Sequence, residues 1–150
     1  MEATTMKFSD VNEKTWDGLR PFVDTCILPV TGLTGKELPW EATCALEDLR
    51  DALDLFEIPY KGRVLTYPAL HYVTAASGTD AINLLCTLLK DNGFAFVILV
   101  SAKVELDELL ASSNADLAFI LTPQLLTESL PEHKKQIANQ LMQLWTNSNS

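Results

Sequence analysis

Between Gly93 and Ser101 the chain runs Phe94-Ala95-Phe96-Val97-Ile98-Leu99-Val100, an apolar stretch with no polar interruption. A transmembrane helix needs about 20 such residues, so this run cannot span a bilayer. Its two valines and isoleucine favour an extended strand. A strand with one wet face alternates apolar and polar side chains, whereas one without alternation is covered on both faces. Covering both faces takes crossover helices, and crossover helices make neighbouring strands parallel. This one segment therefore assigns the chain to the α/β class.

The rest of the chain agrees with that frame. Asp10-Val11-Asn12-Glu13 has capping-box spacing and opens a short helix through Trp16, Leu19 and Val23, strained near its end by Pro21. Thr25 to Val30 reads as a first strand with Pro29 at its end, where no ladder donor is needed. A helix follows from Trp40 to Phe56. Leu46, Leu49, Leu53 and Phe56 form its apolar stripe, and Glu47, Asp48, Asp51 and Asp54 its solvated side. Arg63 to Tyr67 is the second strand. Thr79 is the expected N-cap of a third helix. That helix bears Ile82, Leu85, Cys86 and Leu89, with Leu84 and Leu88 beside them, and reads as well buried. Gly93 ends it in the left-handed conformation.

After the seven-residue run, Leu106, Leu109 and Leu110 mark a short helix. Leu117 to Leu121 reads as a second central strand. Ser129-Leu130-Pro131-Glu132 caps a last helix carrying Ile137, Leu141, Leu144 and Trp145. The expectation is one domain over residues 1–150, frayed at 1–5 and 146–150. Its fold is a three-layer α/β/α sandwich with a mainly parallel sheet of about four strands.

Composition limits the function classes. The net charge of −9, with scattered Lys and Arg, disfavours nucleic acid and anionic membrane surfaces. Cys26, Cys44 and Cys86 form no C-x-x-C pair and lie in apolar stretches, as buried free thiols of a reducing, cytoplasmic compartment do. No signal-peptide pattern follows Met1.

Open α/β sheets bind ligands beyond the carboxyl ends of their strands. The loops there are residues 31–39, 69–78, 101–105 and 122–127. The first, Gly32-Leu33-Thr34-Gly35-Lys36-Glu37, has the glycines, the lysine and the strand-to-helix setting of a phosphate loop. A phosphate loop has four residues between its glycines and a hydroxyl after the lysine. Here there are two, and Glu37 stands after Lys36. The sequence has only two histidines, His71 and His133, and no G-x-S-x-G elbow. Ser77-Gly78-Thr79-Asp80 reads as helix capping. Asp24 precedes the first strand and so sits at the wrong edge of the sheet for catalysis.

Two family resemblances add to this reading. Phe22-Val23-Asp24-Thr25-Cys26-Ile27-Leu28-Pro29-Val30, preceded by Met6-Lys7-Phe8 and a short helix, resembles the start of the YpiF-like family of small uncharacterised bacterial proteins. Chain length and element order are similar too, and the resemblance implies no function. Leu28-Pro29-Val30, Leu38-Pro39, Val64-Leu65, Gly78-Thr79 and Gly93-Phe94 before Val97-Ile98-Leu99-Val100 are remotely similar to the creatinine amidohydrolase family. That resemblance implies a parallel-sheet scaffold from a metal-dependent amidohydrolase. Its Glu and His ligands are missing between Val30 and Leu38, and Ser101-Ala102-Lys103 replaces its later ligand loop. It therefore implies a reduced scaffold without the metal centre.

The leading expectation is a non-catalytic binding or regulatory domain without cofactor, catalytic residue or metal ligand. Its ligand or partner surface is expected at Thr34, Lys36, Glu37, His71, Tyr72, Ser101, Lys103 and Gln124. The partner is expected to be another protein or a second copy of the chain. Trp40 and Tyr72 are candidate exposed contact aromatics, and for Trp40 a core position is the favoured reading. The alternatives are a small hydrolase using Glu37, His71 and Asp80 as an acid/base set, and a small-ligand or nucleotide-binding domain.

Overall fold

A computed structural model describes residues 7–73 and 78–147. Four strands form one parallel sheet in the order β2-β1-β3-β4: β1 (Thr25–Pro29), β2 (Val64–Thr66), β3 (Phe96–Ser101) and β4 (Leu117–Ile120). Among the described residues there are six α-helices: α1 (Glu13–Leu19), α2 (Pro39–Glu57), α3 (Gly78–Asp91), α4 (Asp107–Ala111), α5 (Pro123–Glu128) and α6 (Leu130–Asn147). The fold is the three-layer α/β/α arrangement expected.

The period-2 alternation of a strand divides the core into two. Cys26, Leu28 and Val30 of the first strand point to one face with Val97 and Leu99 of β3, where Ile82, Cys86 and Leu89 of α3 cover them together with α1 and α4. Ile27 points to the other face with Phe96, Ile98 and Val100, under Leu49, Leu53 and Phe56 of α2 and Ile137, Leu141 and Trp145 of α6. All six residues of β3 are buried, as the uninterrupted run requires.

Several boundaries differ from expectation for local reasons. Asp10 does not cap α1, because its carboxylate accepts from the Lys7 N–H at 2.9 Å. The cap is Asn12, which trades hydrogen bonds with Thr15 at 2.9 Å each way. The helix ends at Leu19, before Pro21 can strain it. Helix α3 already includes Gly78 and Thr79, so Thr79 is not its cap, and Ser77 lies outside the described residues. Leu84 and Leu88 on that helix face solvent, so its apolar face is narrower than its leucine content implies. Leu46 on α2 is exposed too, and Ala45 and Ala52 complete the stripe instead. Residues 123–127 are helical, with the Thr122 hydroxyl capping α5 through the Leu125 N–H at 3.2 Å. Thr146 and Asn147 belong to α6. The other residues expected to fray, 1–5 and 148–150, lie outside the described residues.

The main correction concerns β4, which is an edge strand and not a second central one. It pairs with β3, and the two strands in the middle of the sheet are β1 and β3. Among the thiols, Cys26 and Cys86 are buried, and burial pushes Cys26 up to about 12. Cys44 is exposed, on the acidic side of α2.

Candidate functional site at the carboxyl edge of the sheet

The strand order sets where a crevice opens. The chain leaves β1 toward α2 on one face and leaves β3 toward α4 on the other. Two adjacent parallel strands whose following helices diverge make a topological switch point, the usual ligand position in an open α/β sheet. A cleft of about 420 Å³ lies there, lined by Gly32, Thr34 and Glu37 after β1, Val73 after β2, and Lys103, Glu105 and Leu106 after β3.

The carboxylate and the amides of the first loop are paired with one another. Glu37 folds back into its own loop. Its carboxylate accepts from the Thr34 N–H at 3.0 Å, the Gly35 N–H at 2.9 Å and the Thr34 hydroxyl at 3.0 Å. Those amides are the ones a phosphate would need, and the chain's own carboxylate occupies them. The Thr34 amide is the main reason that Glu37 titrates far below its ordinary 4.5, at about 2. Gly32 adopts φ +76°, and a Cβ there would lie 2.7 Å from Lys103 Cγ. The lysine stem thus packs against the glycine and closes one wall of the cleft.

Thr31 is buried, and its hydroxyl lies 3.1 Å from the Leu70 carbonyl and 3.2 Å from His71 Nδ1. With the hydroxyl proton on the Leu70 carbonyl, the Thr31 oxygen is left to accept from His71 Nδ1–H. Tyr72 follows at φ +60°, a region that disfavours any residue with a side chain. Asp80 is exposed in the first turn of α3. No described hydrogen bond joins Glu37, His71 and Asp80 to one another. Among the described residues no group of three or more His, Cys, Asp or Glu side chains is placed to hold a metal ion.

Thr34, Glu37 and Lys103 therefore share the cleft, and His71 is not among the residues that line it. Lys36 is exposed at its rim, its N–H donating to the Thr34 hydroxyl at 3.3 Å. Gln124 lies in a separate, shallower groove of about 720 Å³ beside Val104, Ile120 and Thr122, and donates to Glu128 at 3.2 Å. Ser101 is a correction: it is fully buried, and its hydroxyl accepts from the Lys103 N–H at 3.2 Å, so it offers nothing to a partner. Trp40 is the second correction. It is 68% exposed, because it shares the solvated side of α2 with Cys44 and Glu47 and stands off the stripe of Ala45, Leu49 and Ala52.

Sequence reasoning offered Trp40 and Tyr72 as contact aromatics of this edge and missed Leu38 and Val104 beside them. Leu38 (49% exposed), Trp40, Tyr72 (64%) and Val104 (62%) all stand on or beside loops at the carboxyl ends of β1, β2 and β3. Carrying the α2 stripe back to its first turn exposes Trp40 on the helical wheel. Leu38 and Tyr72 lie in irregular segments and Val104 opens a single 3-10 turn (Val104–Leu106), and neither setting offers a period to read.

The loss of Glu37 charge gives a testable consequence. A carboxyl whose folded value is lowered contributes stability above its unfolded value and loses that contribution as pH falls through the folded one. The order of the 34–37 loop is therefore expected to persist at neutral pH and to decay between about pH 4.5 and pH 2. Carbon-13 NMR titration of the Glu37 carboxyl should show a midpoint near 2, and a midpoint at 4.5 would contradict the loop geometry.

Comparison with known proteins adds a family and no activity. The family described as "Protein of unknown function (DUF2487)" matches residues 14–147. No curated protein and no solved structure matches the chain.

Proposed function

The chain belongs to the DUF2487 family of proteins of unknown function, and from that premise we propose that it is a non-catalytic binding module whose carboxyl sheet edge docks another protein. One observation carries the reading. At the switch-point cleft the Glu37 carboxylate and the Thr34 and Gly35 amides are paired within the chain, while Leu38, Trp40, Tyr72 and Val104 are left to solvent. Chemistry needs the reverse: free nucleophiles, bases or ligands in a closed pocket. Trp and Tyr beside a cleft are the residue types that anchor protein interfaces. The backbone of Tyr72 supports the same reading, since strain of this kind persists where a side chain is held out for a purpose.

The resemblance to a creatinine amidohydrolase scaffold fits this proposal as a shortened loop in which Glu37 fills the place of a ligand site. Nucleotide binding is disfavoured because Glu37 occupies the loop amides. A hydrolase built on Glu37, His71 and Asp80 is disfavoured because no hydrogen bond among the described residues links them. No described helix is long and apolar enough to cross a membrane, and the partner is proposed to be a protein in the cytoplasm.

The test compares the wild-type chain with the triple variant Trp40→Ser, Tyr72→Gly, Val104→Ser, expressed in its source cells at native level. Since all three side chains are exposed, the melting temperature is expected to hold. The wild-type chain is expected to migrate in a complex that the variant loses. A hydrolytic activity that vanishes with Glu37→Gln and His71→Ala would overturn the proposal.

A further inference from the structure

The loop after β3 makes a ridge between two depressions of the carboxyl edge. Its residues Val104–Leu106 form the 3-10 turn, and in such a turn side chains three positions apart lie over one another. Lys103 and Leu106 accordingly share one side and line the switch-point cleft. Val104 and Asp107 share the other and line the shallower groove of about 720 Å³ beyond β4. The turn thus sorts its charges, sending the lysine to the cleft and the aspartate to the groove.

The apolar surface of the groove comes from Val104, Ile120, Pro123 and Leu125. Two of its polar groups are used internally: the Thr122 hydroxyl accepts from the Leu125 N–H, and the Gln124 amide donates to Glu128. Asp107 is different. It is exposed, and among the described residues its carboxylate meets no cation and no hydrogen-bond donor. No Lys or Arg lines the groove. The one free polar group in an apolar groove is therefore an acid.

We propose that this groove takes a cationic, apolar segment of the partner protein, with an aliphatic side chain over Val104, Ile120 and Leu125 and an Arg or Lys against Asp107. The inference rests on the reading of the carboxyl edge as a docking face and adds the chemistry of what docks there. The volume suits a few side chains. Charge selects among them. A neutral apolar segment would cover Asp107 without a partner for its charge, which is costly. An acidic segment would meet like charge. A second copy of the chain is disfavoured in the same way, since two chains of net charge −9 repel. That net charge also draws a cationic segment from a distance.

NMR titration of the nitrogen-15-labelled full chain tests this with three acetylated, amidated peptides: Leu-Arg-Leu-Arg-Leu, Leu-Glu-Leu-Glu-Leu and Ser-Arg-Ser-Arg-Ser. The first is expected to shift the amides of residues 104–107 and 120–125, and the other two to bind at least about threefold more weakly. Asp107→Asn is expected to weaken the first peptide about threefold, and Asp107→Glu to retain it. Asp17→Asn removes the same charge on α1 and is expected to change nothing. An unchanged melting temperature shows that each variant folds. An equal loss with Asp17→Asn would reduce the effect to bulk charge and overturn the proposal. Equal binding of the Leu-Glu peptide, or shifts confined to other surfaces, would overturn it too. Groove shifts that follow protein concentration without peptide would place a second copy there, with the same consequence. The docking face itself is tested by the complex lost in the triple variant. A native complex with no groove shifts overturns the cationic occupant alone, whereas groove shifts without a native complex sink the docking face and leave the preference of the groove standing.

Discussion

Replacing Trp145 with alanine is expected to lower the unfolding free energy by about 3–5 kcal/mol, a large share of what a domain of this size holds. Trp145 is buried on α6 and packs in the core shared with α2 and β1. Its indole N–H donates to the Thr25 hydroxyl at 3.0 Å, and that hydroxyl donates to Asp24 at 2.9 Å. Asp24 accepts two bonds from Arg63, each at 3.1 Å. The ring of contacts closes because the Arg63 guanidinium lies 4.0 Å over the Trp145 ring, with Tyr60 against its edge. One side chain thus ties the last helix to the amino ends of β1 and β2. Trp145→Phe keeps most of the apolar contact and removes only the N–H, so about 1 kcal/mol is expected. Urea unfolding of the two variants measures the difference. An alanine variant within 1 kcal/mol of wild type would contradict this role.

The second large effect is expected at Lys7. Glu57 is buried at the end of α2, where its carboxylate accepts from Lys7 Nζ at 2.5 and 2.7 Å and from the Thr66 hydroxyl at 2.8 Å. Lys7 also bridges Thr66 through its backbone. Removing one partner of a buried pair leaves a charge without compensation, which is usually worse than removing both. The Lys7 side chain is partly exposed, which reduces the effect. Lys7→Met is therefore expected to cost about 2 kcal/mol, and Lys7→Met with Glu57→Met to recover most of it. The cycle is read by urea unfolding. A single variant as stable as wild type would show that Glu57 needs no cation.

Much of the scaffold was legible because burial imposes a period. Phe94 to Val100 announces β3, and the leucines of α2 and α6 announce the face that packs on it. What an apolar run does not carry is position in the sheet. Leu117 to Ile120 looks central because three of its four residues are large and apolar, yet it lies at the edge with Ala118 turned to solvent. Leucine content misled in the same way at Leu84 and Leu88, since a leucine costs little when it is exposed. Contacts between distant segments left no trace. Lys7 and Glu57 are 50 residues apart, and Trp145 and Thr25 are 120 apart.

The candidate site was legible in place and less so in character. Strand ends located the loops, and the switch point between β1 and β3 then selected Thr34, Glu37 and Lys103 from them. The mismatch of the first loop with a phosphate loop was visible in the two residues between its glycines and in the carboxylate after Lys36. Its physical meaning needed the fold, which turns that carboxylate onto the amides of Thr34 and Gly35. Ser101 was misplaced because a strand ending in a polar residue reads as a loop, although the chain keeps that hydroxyl buried for the Lys103 N–H.

The central claim is that the carboxyl edge is a docking face for another protein. Photo-crosslinking from single positions in the source cells tests it most directly. A photoreactive side chain is placed in turn at positions 40, 72 and 104 and, as a control on a distant helix, at position 17 of α1. The expected result is one protein crosslinked from all three edge positions and not from the control. Equal labelling from all four positions, or none from positions 40, 72 and 104, would contradict it.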